Sequence, residues 1–245
     1  MKKVEISLGE NSYDVLIGSG LLGELSQLLS KTLSDRKIAL ISDRNISAQY
    51  GTALLKELKA AGLKRIQIDF DSGEANKTFE TVHSLYQPLI ENHFERKDVV
   101  LALGGGVAGD LVGFLAATYL RGVPFVQLPT TLLAMVDASV GGKVACNHPL
   151  GKNLIGAFHQ PALVVADVST LKTLAKRELI SGFAECIKHG VIGDKDLFSW
   201  TTARAKELSS GDEGLLTELV ARNVSFKANI VSQDEKEQGV RALLN

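Results

Sequence analysis

Between Gly104 and Asn153 the chain sets out a glycine cluster, Gly104-Gly105-Gly106 with Gly109, then Asp110, the pair Thr130-Thr131, Asp137, Lys143 and Lys152-Asn153. Glycine lets backbone N–H groups approach a phosphate closely and tolerates positive φ. Lysine adds point charges for anionic oxygens. This stretch therefore offers pyrophosphate contacts, carboxylates and two cations for a small anionic substrate. A second cluster, Glu185, Lys188 and His189, has spacings of three and four, which place all three on one helix face. Glu185 and His189 are both of metal-ligating type. An ion-paired helix face is the rival explanation, and spacing alone favours it.

The elements that must carry these residues follow from periodicity. Val4–Leu8 and Tyr13–Ile17 alternate as a strand pair around Gly9-Glu10-Asn11, and Leu21–Leu33 has helical spacing. Apolar runs at 37–42, 65–70, 98–103, 123–128 and 162–166 read as strands, with helices between them, at 78–94 for instance. Leu132–Ala138 reads as a short helix capped by the Thr pair. Strands alternating with helices predict an α/β fold, a doubly wound and mostly parallel sheet. Ligands bind such sheets beyond the carboxyl ends of the strands. Asp43, Glu74, Lys77, Gly104–Asp110 and Thr130 all lie at such ends. From Leu171 the pattern turns helical, with helices expected over 179–190, 195–209 and 212–234. The expected division is 1–170, an α/β domain, and 171–245, the start of an all-α domain.

Gly104–Gly109 matches G-x-G-x-x-G after a strand and before a helix. The acid expected about 20 residues on for the ribose is missing, since Gln127-Leu128-Pro129 stands there. Asp43 is the substitute. A tight turn without ligand is the bland alternative. Asp137, Lys143, Lys152 and Asn153 are read as lying in or beside glycine-rich turns, with the two Gly-Lys steps around Asn147-His148-Pro149. A net charge of −1 gives no support for a nucleic-acid partner. No apolar run is long enough for a membrane span. The N-terminal residues lack a signal-peptide core, and two cysteines form no framework, so a cytoplasmic setting is expected. The closing run, Gly239–Asn245, lacks a cap or polar tail and does not read as a natural ending.

Taken together, GGGVAGD, RGVPFVQLPTTLLAMVDASVGGK, NHPLGKNLIGAFHQP, LKTL and SGFAECIKHG resemble the 3-dehydroquinate synthase family of NAD-dependent sugar phosphate cyclases, over the whole chain. The resemblance implies that 1–170 is the NAD-binding domain, that 171–245 begins the helical domain for metal and substrate, and that the active site lies between them. It implies NAD contacts from Asp43, Ser72, Gly73, Glu74, Ala75, Asn76, Lys77, Gly106, Val107, Ala108, Gly109, Asp110, Thr130, Thr131, Lys143, Lys152, Thr170, Leu171, Lys172 and Thr173. It assigns substrate contacts to Arg121, Asp137, Lys143, Lys152, Asn153, Lys188, Lys227, Arg241 and Asn245.

Glu185 is the implied metal ligand, for zinc or cobalt. His189 stands where the family often has an aromatic and is read as packing. The family motif continues beyond the position of Asn245 with histidine ligands, so a fragment with one ligand of three is expected. The implied reaction converts 3-deoxy-arabino-heptulosonate 7-phosphate to 3-dehydroquinate and phosphate, in the shikimate pathway to aromatic amino acids. The expected partner is a small sugar phosphate, and a homodimer is an assembly the resemblance allows. Rival readings are a cyclase of inosose-synthase type, an NAD-dependent polyol dehydrogenase, and a non-catalytic NAD-binding fragment.

Overall fold

The computed structural model describes residues 1–30 and 36–244. The expected helix over Leu21–Leu33 runs partly into residues outside that set, and Asn245 lies outside it.

A seven-stranded sheet of order β1-β2-β9-β6-β5-β3-β4 forms the centre. Its strands are β1 (Lys2–Ile6), β2 (Tyr13–Gly18), β3 (Ile38–Asp43), β4 (Arg65–Phe70), β5 (Val99–Gly104), β6 (Phe125–Pro129) and β9 (Leu163–Asp167). β1 and β2 pair antiparallel, with Lys2 opposite Ile17. Every other pairing in the sheet is parallel. The parallel strands β5, β6 and β9 are buried at every position, the pattern of a sheet covered on both faces. The helices on it are α1 (Leu25–Ser30), α2 (Arg44–Ile46), α3 (Thr52–Ala60), α4 (Phe79–Glu91) and α5 (Gly106–Thr118). α2 runs into α3 through a π-helical turn, Ser47–Gly51.

From β3 the chain goes to β4 on one side and then crosses to β5 on the other. The order therefore reverses between β3 and β5, where α/β sheets open a crevice beyond their carboxyl ends. Asp43 ends β3 and Gly104 ends β5, so the acid and the glycine turn flank that crevice.

The helical segment comprises α6 (Lys176–Gly193), α7 (Lys195–Ala203), α8 (Ala205–Ser209) and α9 (Glu213–Gln233). It shares one core with the opposite edge of the sheet. Cys186, Leu219 and Val224 pack with Ile6, Val15, Ile17 and Met135.

Two expectations are refined. Lys143 and Lys152 do stand beside glycine turns, but they and Asn153 are strand residues. They belong to an antiparallel hairpin, β7 (Lys143–His148) and β8 (Gly151–Phe158). β8 is mostly polar or exposed, so its composition hides its strand character, and Asn153 has a left-handed φ of 57°. The helix expected over Leu132–Ala138 ends as a π-helical turn, Ala134–Ala138. Such turns are frequent at functional sites, and this one carries Asp137.

Candidate active site

A cavity of about 520 Å³ opens between the β7–β8 hairpin, the 134–138 turn, α9 and the 3₁₀ turn Val240–Leu244. Asp110, Asp137, Lys143, Asn153, Lys227 and Arg241 line it. Residues up to 131 apart in the sequence thus meet in one space.

Lys227, on α9, is buried and donates to both the backbone O and Oδ1 of Asp137, each at 2.5 Å. Burial pushes the Lys227 ammonium below its ordinary pKa, against the pull of Asp137. Burial also pushes the Asp137 carboxyl up, but Lys227, then His189 and Lys188, outweigh it and leave the carboxyl below the usual range. Arg241 is buried, donates to Gly141 O at 2.8 Å and to Glu235 O, and lies over the Phe158 ring. Lys143 pairs with Glu237. Burial lowers the Lys143 pKa, and so do Arg241 and Lys227. Arg241 depresses both Lys143 and Lys227, and three cations this close make a place for anionic groups.

A second buried lysine ties the glycine turn to the hairpin. Lys77 donates to Asp110 Oδ2 and Asn153 Oδ1, both at 2.5 Å. Burial raises the Asp110 pKa even though Lys77 opposes it. Asn147 completes the link, since it accepts from Asn153 N at 2.9 Å and donates to Glu74 at 2.9 Å. Lys152 is exposed and reaches Glu74 at 3.5 Å.

The crevice next to this cavity gathers the residues expected to hold a dinucleotide. Gly104 has φ 149°, and a Cβ there would lie 2.8 Å from that of Ala108. No side chain caps α5, so its first-turn N–H groups stay open to an anion. Thr130 is buried, and its Oγ1 has no hydrogen-bond partner. Thr131 caps the turn that follows, accepting from Ala134 N at 3.1 Å. Asp43 accepts from Asn45 N and Ile46 N, and Asn45 reaches Ser72 Oγ at 2.8 Å. Gly73, with φ 104°, leads into the turn Glu74–Asn76. On the far side Tyr50 Oη meets Thr173 Oγ1 at 2.5 Å, which anchors the turn holding Thr170, Leu171 and Lys172. An uncapped helix, a glycine turn and an orphaned buried hydroxyl fit a pyrophosphate.

The carboxylate corner lies where α6 meets the 131–138 segment. Gly182 makes this approach possible, because a Cβ there would lie 2.5 Å from Leu132 Cβ and 2.8 Å from Leu133 N. One helical turn on, Glu185 Oε1 is 2.7 Å from Lys188 Nζ and 3.2 Å from His189 Nε2. Lys188 also donates to Leu244 O at 2.7 Å. Ligand atoms of Asp137, Glu185 and His189 lie within 4.8 Å of one another. Burial pushes the Glu185 carboxyl up, yet His189 and Lys188 bring it below the ordinary range. Glu185 Oε1 and His189 Nε2 are both buried and face each other, with Lys188 on the same carboxylate oxygen. That donor set fits a divalent cation.

Arg121 does not join the others. It lies in the turn after α5 with φ 66° and is absent from the cavity lining. Sequence reasoning missed Glu237, Asn147, Leu154 and Phe158. Asn147, Leu154 and Phe158 lie inside a motif already singled out, whereas Glu237 carried no sequence signal. No helix among the described residues is long and apolar enough to cross a membrane.

The family model "3-dehydroquinate synthase N-terminal" matches residues 67–181, and "3-dehydroquinate synthase C-terminal" matches 182–245. The chain is 48% identical to a 3-dehydroquinate synthase of Pelotomaculum thermopropionicum, over all of its own length and 66% of that relative's. It thus spans about two thirds of the relative it matches. Among solved structures, ValA, the 2-epi-5-epi-valiolone synthase of Streptomyces hygroscopicus subsp. jinggangensis with NAD+ and Zn2+ bound, aligns with TM-score 0.88 at 30% identity over 97% of this chain and 66% of that one. A 2-deoxy-scyllo-inosose synthase complexed with carbaglucose-6-phosphate, NAD+ and Co2+ aligns with TM-score 0.92 over 99% of this chain and 66% of that one. At 23% identity it supports the fold alone. The glycine turn, the cation-lined cavity and the carboxylate corner all fall inside the matched segments, and the chain belongs to the 3-dehydroquinate synthase family.

Proposed function

We propose that this chain carries the cofactor and substrate sites of a 3-dehydroquinate synthase, which turns 3-deoxy-arabino-heptulosonate 7-phosphate into 3-dehydroquinate and phosphate. The observation that carries this reading is the convergence of Lys143, Lys227 and Arg241 on one cavity. A keto-acid phosphate brings two anionic groups, and this cluster can neutralise both.

NAD would lie in the crevice between β3 and β5, with its pyrophosphate at the α5 N-terminus, near Thr130. Asp43 would take the ribose hydroxyls. Glu185 would hold the metal. When bound, NAD supplies a reversible hydride transfer at a ring hydroxyl, and the metal polarises that hydroxyl as a Lewis acid. The protein's own groups do the rest. Arg241, fixed by two backbone carbonyls and a ring face, presents a pre-oriented guanidinium at the cavity wall. Lys227 keeps Asp137 ionised and in place beside the carboxylate corner. Lys77 and Asn153 lock the hairpin to the glycine helix, so cofactor and substrate walls move as one body. The division into 1–170 for NAD and 171–245 for metal and substrate belongs to the same proposal, as do Lys152, Lys188 and Asn245 at the substrate.

A second reading, a cyclase acting on a sugar phosphate without a carboxylate, draws on the likeness to ValA. Phosphate release from the heptulosonate phosphate, with NAD and Zn2+ supplied and no NADH accumulating, is the expected result for a 3-dehydroquinate synthase. NADH accumulating in step with substrate loss would point to a dehydrogenase and overturn the reading.

A further inference from the structure

We propose that Tyr13 is a positioning residue of the anion site: its hydroxyl holds Gly141, and Gly141 in turn holds the Arg241 guanidinium. The inference rests on the reading that Arg241 meets an anionic group of the substrate.

Tyr13 opens β2 and is 4% exposed. Its ring belongs to the core that joins the sheet edge to the helical segment, with Ile6, Val15 and Met135. A phenylalanine would fill that space equally well. The hydroxyl needs its own reason, because a buried O–H group has to find a partner. Tyr13 Oη accepts from Gly141 N at 3.0 Å. Among the described residues no other acceptor takes that buried N–H. Burial pushes the Tyr13 phenol up to about 12, so it stays neutral at pH 7 and acts through this bond rather than through charge.

Gly141 passes the constraint on. Its carbonyl accepts from Arg241 Nη2 at 2.8 Å. Its φ is 97°, and a Cβ there would lie 2.3 Å from Arg241 Nη2. The guanidinium thus rests directly on the Gly141 backbone, an approach that only glycine permits. The other hydrogen bonds of Arg241 stay within its own segment. Its Nη1 donates to Glu235 O, and its backbone N donates to Asp234 Oδ2 at 3.0 Å. The bond to Gly141 O is the one that ties the guanidinium to the turn ahead of Lys143. Without the hydroxyl, the Gly141 N–H is buried and unpaired. The 139–142 turn must then shift to find another acceptor, and the Arg241 anchor shifts with it.

The test compares Tyr13→Phe with Val15→Ala. Val15 lies two residues on along β2, on the same strand face and in the same core, and has no polar group to bond Gly141. The guanidinium 15N–1H signals of Arg241 are read without ligand. Affinity for the heptulosonate 7-phosphate is read with NAD present. In the unaltered chain the Arg241 Nη signals are expected to be sharp, since both ends of the fork are held. In Tyr13→Phe they should broaden, and affinity should fall about tenfold while NAD affinity stays within about twofold. In Val15→Ala the melting temperature should fall and the Arg241 signals should stay sharp. Sharp signals in Tyr13→Phe would overturn the proposal whatever the affinity does. Equal broadening in Val15→Ala would overturn it too, because a loosened core would then be the cause. Arg241→Lys tests the underlying reading separately. If that variant binds the heptulosonate phosphate as tightly as the unaltered chain, Arg241 is not at the substrate, and the proposal falls with the reading. Fast exchange of the Gly141 amide in the unaltered chain would overturn the contact without any variant.

Discussion

Lys227 Nζ bonds Asp137 twice, to the backbone O and to Oδ1, and so pins the 134–138 turn to the middle of α9. Removing the lysine should be costly. Lys227→Met leaves Asp137 among buried groups without its main partner. A loss on the order of 2–4 kcal/mol is expected, less than for a fully buried pair because Asp137 keeps some solvent contact. Urea denaturation reads it, and adding Asp137→Asn should recover part of the loss. A single variant as stable as the unaltered chain would count against the pair.

The same pair sets an acid limb. Asp137 and Glu185 have folded-state pKa values below their ordinary ones. The unfolded chain therefore binds protons first as pH falls. Their contribution is complete above the unfolded carboxylate range, about pH 4, and is lost as pH drops through the depressed folded values. Asp110 works the other way and at higher pH, since its raised value makes stability fall as pH rises from the unfolded carboxylate range through its folded value. Asp137→Asn should flatten the rise of the urea midpoint with pH below about pH 4, and Asp110→Asn should remove a fall that sets in above it. Unchanged slopes in both would refute these assignments.

Gly182 offers a steric test. Gly182→Ala would drive a methyl into Leu132 and the Leu133 amide. It should cost about 1–3 kcal/mol through overpacking and lift Glu185 away from Asp137. Zn2+ affinity should drop by more than NAD affinity, because the crevice between β3 and β5 lies apart from this contact. An equal drop in both would mean a general loss of structure.

Lys152 is the converse case, a proposed substrate contact with little structural role. Its side chain is 75% exposed and meets Glu74 at 3.5 Å. Lys152→Ala should leave the melting temperature within the scatter of surface changes, about 0.5 kcal/mol, while weakening substrate handling. Equal losses of stability and activity would count against that role.

Much of this was legible in the residues. The parallel strands announced themselves as short apolar runs, and the rule for sheet ends placed Asp43, Lys77, Gly104 and Thr130 together before any coordinates. The three-and-four spacing of Glu185, Lys188 and His189 gave their shared face. The hairpin was not legible. Lys152, Asn153 and Leu154 are exposed, so β8 lacks the buried alternation that marks a strand. The Lys143–Glu237 pair was hidden for another reason. It joins residues 94 apart whose meeting depends on tertiary packing, and no local pattern encodes it. His189 was read as packing, which its contact with Phe226 supports. Its polar edge meets Asn223 on α9, 34 residues on, which no local pattern encodes.

The central claim, that Lys143, Lys227 and Arg241 form a site for a substrate with two anionic groups, is tested most directly by binding in the presence of NAD. Calorimetric titrations would compare the heptulosonate 7-phosphate with glucose 6-phosphate. The account predicts tighter binding of the keto acid, by at least about tenfold, from the additional carboxylate paired to a cation. It also predicts that Lys143→Met removes most of that preference. Equal affinity for the two ligands, or a preference for the sugar phosphate without the carboxylate, would contradict the account.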